Sequence, residues 1–338
     1  MKTIVLEEIE RLVRADTAVP TEPSPGTALV RIRHVGVCGT DLHAYRGRQP
    51  FFSYPRSLGH ELGVEVLETR GDDPPVAAGA RCAVEPYYNC GNCQACRRGL
   101  TNCCVELQVL GVHADGGMRE IFEVRLDKLH PSEVLTTEQL ALVETLGIGA
   151  HAVERAALQR EEAVLIIGAG PIGLATLVFA RLAGARISVL ELNADRTRFV
   201  REQFGVEHCL DGSGDVIAQL EDALDGDLPT AVFDATGNPA SMTAAPQYVA
   251  SGGKLVYVGF VMGEVGFTDA EMHRKELTIL RSRNSHRRNF QQILKLMEED
   301  RFDTRPWITH RAAYDDFVEK FPGWLDARAG VVKAMLEL

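Results

Sequence analysis

The first 35 residues alternate apolar and polar side chains in short runs, for example Leu29-Val30-Arg31-Ile32-Arg33-His34-Val35, separated by Pro20, Pro23, Pro25 and Gly26. A period of two with Pro and Gly punctuation predicts short half-buried strands joined by turns, hence a β-rich domain. Further strands are predicted at 62–69, 81–85 and 120–124. From Thr137 to His151 the pattern becomes helical, with Thr136 or Thr137 as the N-cap.

At Glu161 the pattern changes again. Ala163-Val164-Leu165-Ile166-Ile167 is a continuous apolar run, as expected of a parallel strand buried on both faces. Gly168-Ala169-Gly170-Pro171-Ile172-Gly173 follows at once and opens an apolar helix to about Leu182, stopped by Gly184. A second strand, Ile187 to Leu190, ends in Glu191. Strand, G-x-G-x-x-G, helix, strand and acid in this order predict a doubly wound Rossmann sheet that binds a dinucleotide. Gly168, Gly170, Pro171, Ile172 and Gly173 bring the backbone amides of the helix start to the pyrophosphate. Glu191, 18 residues after Gly173, is placed for the ribose hydroxyls. A carboxylate there repels a 2′-phosphate, so NAD is favoured over NADP, with Arg196 and Arg198 nearby to soften the preference. Two more strand-then-glycine units, Ala231 to Gly237 and Leu255 to Gly259, place Thr236, Gly237 and Gly259 near the dinucleotide. Leu277 to Leu280 closes the sheet, and the stripe Phe290, Ile293, Leu294, Met297 in the next helix is core packing.

Composition narrows the function. With 338 residues, 45% hydrophobic and 25% charged, the chain has material for two globular domains. A formal charge of -11 disfavours nucleic acid and anionic membrane as partners, because both require clustered cations. The start, Met1-Lys2-Thr3-Ile4-Val5-Leu6-Glu7-Glu8, has no long apolar segment of a secretory signal, and no run reaches the ~18 apolar residues of a spanning helix. A cytoplasmic protein is expected. Its eight cysteines then read as metal ligands and buried thiols rather than disulfides.

Two clusters of ligand-type residues carry the chemistry. Cys38-Gly39-Thr40-Asp41-Leu42-His43, followed by Gly59-His60-Glu61, offers a thiolate, an imidazole and a carboxylate, the set that Zn²⁺ takes in catalytic sites with a fourth position open. Thr40 and His43 add a hydroxyl and a titratable ring able to carry a proton to solvent. Cys90, Cys93, Cys96 and Cys104 form a C-x₂-C-x₂-C-x₇-C pattern that converges on one structural Zn²⁺. On spacing alone Cys103 is an alternative to Cys104, and an iron–sulfur cluster is an alternative to zinc.

These four motifs, in this order, resemble the zinc-containing medium-chain alcohol and polyol dehydrogenases over essentially the whole chain. The resemblance implies a GroES-like catalytic domain at 1–147 carrying the structural zinc lobe at about 86–108, a Rossmann NAD-binding domain at 148–282, and a return to the catalytic domain at 283–338. It implies two zinc ions per subunit: a catalytic one on Cys38 and His60, with Glu61 as ligand or close neighbour, and a structural one on the four cysteines. In the polyol and threonine branch a glutamate of a Glu-Pro-Leu motif approaches the catalytic zinc; Glu144 holds that place, with Thr145 where the branch has Pro. Tyr45-Arg46-Gly47, Tyr54-Pro55-Arg56 and Leu110 to Gly117 resemble bacterial sugar-acid dehydrogenases of the L-galactonate or L-gulonate 5-dehydrogenase kind, with sorbitol and threonine dehydrogenases as relatives.

The implied activity is oxidation of a secondary alcohol on a polyol or sugar acid by NAD. Arg48, Arg56, Arg119 and Arg283 are then candidates to meet a substrate carboxylate. Competing expectations are an amino-alcohol dehydrogenase acting on threonine, and a zinc- and NAD-binding regulatory protein without turnover. A zinc-ribbon nucleic-acid binder is disfavoured by the acidic balance. The family resemblance also implies a homodimer or homotetramer built through the Rossmann sheet edge at Leu277 to Leu280.

Overall fold

A computed structural model describes residues 1–338, the side chain at position 327 excepted. The chain forms two compact units, one of residues 1–144 with 286–338 and the other of residues 145–285. No helix among the described residues is long and apolar enough to cross a membrane.

The first unit opens with the hairpin β1 (Lys2–Glu8) and β2 (Arg11–Asp16), then β3 (Thr27–Val37), α1 (Gly39–Tyr45), β4 (Glu61–Arg70) and β5 (Arg81–Val84). The short pair β6 (Tyr87–Tyr88) and β7 (Gln108–Val109) frames a loop lobe containing α2 (Gln94–Arg97). β8 (Ile121–Arg125) and β9 (Leu129–Pro131) follow.

Where one helix is expected over 137–151, the structure has two, α3 (Thr137–Ala141) and α4 (Val143–Ala156). Thr136 starts α3 with a reciprocal capping box to Gln139, and a tight turn from Leu142 N–H to the Gln139 carbonyl, 3.1 Å, ends it. The first turn of α3 sits on β4 at backbone contact, where a Cβ on Gly63 would stand 1.7 Å from the Thr137 carbonyl oxygen. The break puts Glu144 in the first turn of α4.

The second unit begins inside α4. β10 (Ala163–Ile167) is buried at all five positions, and α5 (Pro171–Leu182) follows its glycine loop. Then come β11 (Arg186–Glu191), α6 (Ala194–Phe204), β12 (His208–Asp211), α7 (Val216–Ala223), β13 (Ala231–Asp234), α8 (Pro239–Ala244), β14 (Lys254–Tyr257), α9 (Asp269–Lys275) and β15 (Thr278–Arg281). All six strands are parallel in the order β12-β11-β10-β13-β14-β15. This is the Rossmann order, with its switch point between β10 and β13. Leu165, Val232 and Leu255 from three neighbouring strands, none of them exposed, form the centre of one core; each such side chain contributes roughly 1.5–3 kcal/mol.

The chain returns to the first unit through α10 (Arg287–Glu298), whose predicted stripe of Phe290, Ile293, Leu294 and Met297 is buried. β16 (Ile308–Ala313), α11 (Tyr314–Lys320) and β17 (Lys333–Glu337) complete it. The main sheet here runs β16-β17-β3-β4-β5-β9, with β8 paired to β3. This sheet is mostly antiparallel; only β16 and β17 pair in parallel. The register of β17-β3-β4 sets Ala334 opposite Val37 and Gly36 opposite Glu61. One end of three adjacent strands therefore carries Lys333, Cys38, His60 and Glu61.

Candidate active site

Cys38 leaves the end of β3 as the N-cap of α1, and His60 and Glu61 enter β4. The ligand atoms of these three residues lie within 4.8 Å of one another. His60 and Glu61 are buried, 4% and 0% exposed, while Cys38 stays partly open. Gly59, with φ +93°, makes the turn that aims His60, and the 110–117 loop braces it. Gly117 N–H donates to the Gly59 carbonyl at 2.9 Å, and a Cβ on Gly116 would meet that same oxygen at 2.3 Å.

Asp41, whose role the sequence reading missed, ties the segments together. Its carboxylate is fully buried and accepts from Cys38 N–H at 2.9 Å and from Gly59 N–H at 3.4 Å. Its Oδ1 lies 3.9 Å from His60 Nδ1, a buried nitrogen with no hydrogen-bond partner. Burial works to lower the His60 pKa, but the Cys38 thiolate, Asp41 and Glu144 hold it well above the usual histidine value. Negative charge is thus concentrated around a buried imidazole. A soft thiolate, an imidazole and a carboxylate in such a field fit a divalent zinc, which would relieve the charge.

Two further buried donors surround this set, and no sequence signal pointed to either. Lys333 Nζ donates to both Glu61 oxygens at 2.7 Å. Burial would lower its pKa, but Glu61 and Cys38 raise it above the ordinary lysine value. The Tyr87 hydroxyl donates to Glu144 Oε1 in a short hydrogen bond between two buried side chains. Burial, with the charge of Glu61, pushes the Glu144 pKa up against the pull of His60. Glu144 is buried near His60 but is not among the three converging ligand atoms.

Thr40 and His43 lie on α1, three residues apart and so on neighbouring positions of one face. His43 is on the exposed side, and partial shielding of its ring with the cations of Arg48 and Arg46 lowers its pKa. Of the other candidate arginines, Arg119 pairs with Asp115 at 2.9 Å and Arg56 donates to Ser53 Oγ at 2.6 Å. Arg283 is placed in the second unit.

In the lobe, the sulfurs of Cys90, Cys93, Cys96 and Cys104 lie within 4.8 Å of one another, while Cys103 is exposed. N–H groups point at them: Cys96 N–H at Cys93 Sγ, 3.5 Å, Cys90 N–H at Cys104 Sγ, 3.3 Å, and Asn89 Nδ2 at Cys96 Sγ, 3.6 Å. Backbone N–H groups of Cys96 and Val105 hold the Cys93 thiol down to about 6. Four thiols with amide donors suit a closed tetrahedral metal site. A third group, His34, Glu138 and Glu337, also has its ligand atoms together, but Thr137 Oγ1 lies 2.9 Å from His34 Nδ1 and Arg311 lies 2.6 Å from Glu138. Those side chains serve one another.

In the second unit the glycine loop is built as a backbone-lined turn. Gly168 has φ +94°, and a Cβ on Gly173 would stand 1.8 Å from the Gly168 carbonyl oxygen, so neither position accepts a side chain. Gly170 caps α5, Pro171 occupies its first turn, and Ile172 follows on the same turn. Glu191 accepts from Ala169 N–H at 2.7 Å, from Leu192 N–H at 2.7 Å and from Asn193 N–H at 2.8 Å. Arg196 approaches Gly170, its guanidinium 3.8 Å from where a Cβ would stand. Thr236 lies against Gly168, and Gly259 packs on Gly237 so closely that a Cβ would meet the Gly237 nitrogen at 2.4 Å. These residues cluster at the carboxyl ends of β10, β13 and β14, beside the switch point.

Comparison with known proteins gives one consistent result. Residues 24–134 match the family described as the alcohol dehydrogenase GroES-like domain, and residues 171–299 match the zinc-binding dehydrogenase family. The chain is 37% identical over 321 residues to L-galactonate-5-dehydrogenase of Escherichia coli K12, covering 95% of this chain and 94% of that protein. It is 31% identical to D-altritol 5-dehydrogenase of Agrobacterium fabrum over 328 residues, 95% of each. The crystal structure of an alcohol dehydrogenase from Escherichia coli CFT073 complexed with NADH superposes with a TM-score of 0.92 at 27% identity, covering 100% of this chain and 99% of that one.

Proposed function

Because the chain belongs to the zinc-type medium-chain alcohol and polyol dehydrogenases, we propose that it oxidises a secondary alcohol of a polyol or sugar acid to the ketone with NAD. The observation that carries the reading is the convergence of Cys38, His60 and Glu61 beside a buried excess of negative charge. Cys38 and His60 would hold the catalytic zinc, with Glu61 and Glu144 as the carboxylates at its side; Cys90, Cys93, Cys96 and Cys104 would hold a structural zinc. Bound zinc supplies Lewis acidity to a substrate oxygen, and nicotinamide supplies the hydride acceptor.

The remaining steps belong to side chains of the protein. Asp41 fixes the Cys38 and Gly59 backbones and so the aim of the thiolate and the imidazole. Thr40 would relay the substrate hydroxyl proton, giving its own proton on towards the cofactor ribose and His43 as it takes the substrate's, and His43 would release a proton to solvent; the lowered pKa of His43 keeps that ring neutral and ready to accept near neutral pH. The glycine-loop amides hold the pyrophosphate and Glu191 takes the ribose hydroxyls, which favours NAD over NADP.

A sugar acid brings a carboxylate; of the candidate arginines, Arg48 acts by its charge on His43, as the neighbouring Arg46 also does, while Arg119 and Arg56 are engaged locally. We assign the substrate carboxylate to Arg48. β15 stands at the edge of its sheet, which supports a homodimer or homotetramer built through it, and we propose a cytoplasmic location. The test is NADH formation by zinc-replete protein across aldonates, polyols and amino alcohols, with NADP in parallel. Turnover of aldonates that falls with Arg48→Ala supports the sugar-acid reading; preference for threonine would replace it with the amino-alcohol one.

A further inference from the structure

Glu85, Lys128 and His130 form a buried charged cluster that the mechanism above does not use. Glu85 follows β5, Lys128 immediately precedes β9 and His130 lies within it; the three are 2%, 4% and 2% exposed. Lys128 Nζ donates to Glu85 Oε1 at 2.5 Å, and His130 Nε2 lies 3.2 Å from the other carboxylate oxygen. Burial would raise the Glu85 pKa, but His130 and Lys128 hold it below the usual carboxylate range, so its charge is retained. A buried ion pair returns little net stability, because desolvating two charges costs about as much as their attraction gives. Packing alone therefore does not account for this lysine. A second of its three protons points towards the cysteine lobe. Asn89 Oδ1 accepts from Lys128 Nζ at 3.4 Å, and Asn89 Nδ2 donates to Cys96 Sγ at 3.6 Å. The two ends of a side-chain amide have nearly the same shape, so its partners decide which way it faces. With the oxygen on an ammonium and the NH₂ on a thiolate, both ends are satisfied. The reversed amide would set donor against donor at Lys128 and an oxygen against the sulfur at Cys96.

We propose that Lys128 is a positioning residue for the metal of the cysteine lobe: anchored by Glu85, it fixes the Asn89 amide so that its N–H is held on the Cys96 thiolate. Four thiolates bring more negative charge than one divalent ion cancels, and donors to sulfur relieve the excess. The backbone donors to Cys93 and Cys104 are set by the local turns of the lobe. The donor to Cys96 is a side chain, and its aim depends on a charge that lies outside the lobe, beside β9. The inference rests on the reading of Cys90, Cys93, Cys96 and Cys104 as a structural metal site.

The experiment follows transfer of zinc from the intact protein to a colorimetric chelator, with Cys93→Ser identifying the lobe phase and Cys38→Ser the other. Asn89→Leu keeps the volume and removes the amide. It is expected to speed lobe release by roughly tenfold, the size of effect that partners of metal ligands exert, with the other phase at the wild-type rate. Lys128→Met should speed the same phase by a similar factor. The Lys128→Met/Asn89→Leu pair should release no faster than Asn89→Leu alone, because the lysine acts through the amide. Wild-type lobe release in Asn89→Leu, or effects that add in the pair, overturns the proposal. A lysine that only balances Glu85 would lower the melting temperature of Lys128→Met and leave lobe release unchanged or hasten both phases alike, which also overturns it. Lys128→Met strands the Glu85 charge; if it does not fold, Lys128→Met/Glu85→Gln takes its place and must show the same lobe-specific release. Retention of both zinc ions by Cys93→Ser would instead overturn the reading of the lobe as a metal site.

Discussion

Replacing Asp41 with asparagine keeps the volume and removes the charge, so it isolates what the buried carboxylate does. Asp41 accepts the Cys38 N–H at 2.9 Å and, more weakly, the Gly59 N–H at 3.4 Å. A hydrogen bond to a charged acceptor contributes about 1.5–3 kcal/mol, and the long Gly59 contact adds little. The amide also presents N–H toward a position where Gly59 N–H or His60 Nδ1 needs an acceptor. The expected loss is therefore about 2–3 kcal/mol in the zinc-loaded protein, or roughly 2–4 °C of melting temperature per kcal/mol for a domain of this size.

The same measurement on zinc-stripped protein separates the hold of Asp41 on the backbone from its contribution to the metal site, because Cys38 N–H and Gly59 N–H use this acceptor without any metal. Zinc affinity should fall about 10–100-fold, as for other groups that orient a metal-ligating histidine. Thermal unfolding with and without zinc, paired with chelator competition, measures both quantities. An Asp41→Asn protein with wild-type melting temperature and wild-type zinc affinity would refute the claim that this carboxylate sets the geometry of Cys38 and His60.

The other predictions concern the proton path, the lobe and the substrate. His43→Asn should reduce turnover about tenfold at neutral pH and recover as pH rises, since solvent base then replaces the ring; in the wild type, turnover should fall as pH drops through the lowered His43 pKa and the ring becomes charged. A variant with the wild-type pH profile would remove His43 from the path. Cys93→Ser should release one zinc per chain and lower the melting temperature while the remaining zinc still depends on Cys38; unchanged zinc content would count against the lobe. Arg48→Ala should raise KM for an aldonate and leave KM for an uncharged polyol near wild type, measured by initial rates.

Local pattern was legible where one segment held the whole signal. The apolar run 163–167, its glycine loop and Glu191 read directly as strand, turn and acid, because burial on both faces and a side-chain-free turn leave a contiguous mark. The four lobe thiols were legible from spacing, yet the choice of Cys104 over Cys103 needed the fold, since adjacent residues differ only in which way they face. The break at Leu142 was hidden because both halves are apolar at helical spacing. Lys333 was invisible because its partner lies far away in the chain. A lysine opening a terminal strand reads as solvated, and only the pairing of β17 with β3 reveals that it faces Glu61. Asp41 stood within the quoted motif, but its partner Gly59 comes from another segment.

The most direct test of the dehydrogenase assignment is Cys38→Ser, assayed for bound zinc, NAD binding and turnover on the best substrate of the wild type. The account predicts one zinc lost per chain, turnover abolished and NAD affinity largely intact, because the glycine loop and Glu191, which would hold the dinucleotide, belong to the other unit. Wild-type turnover in that variant would contradict it.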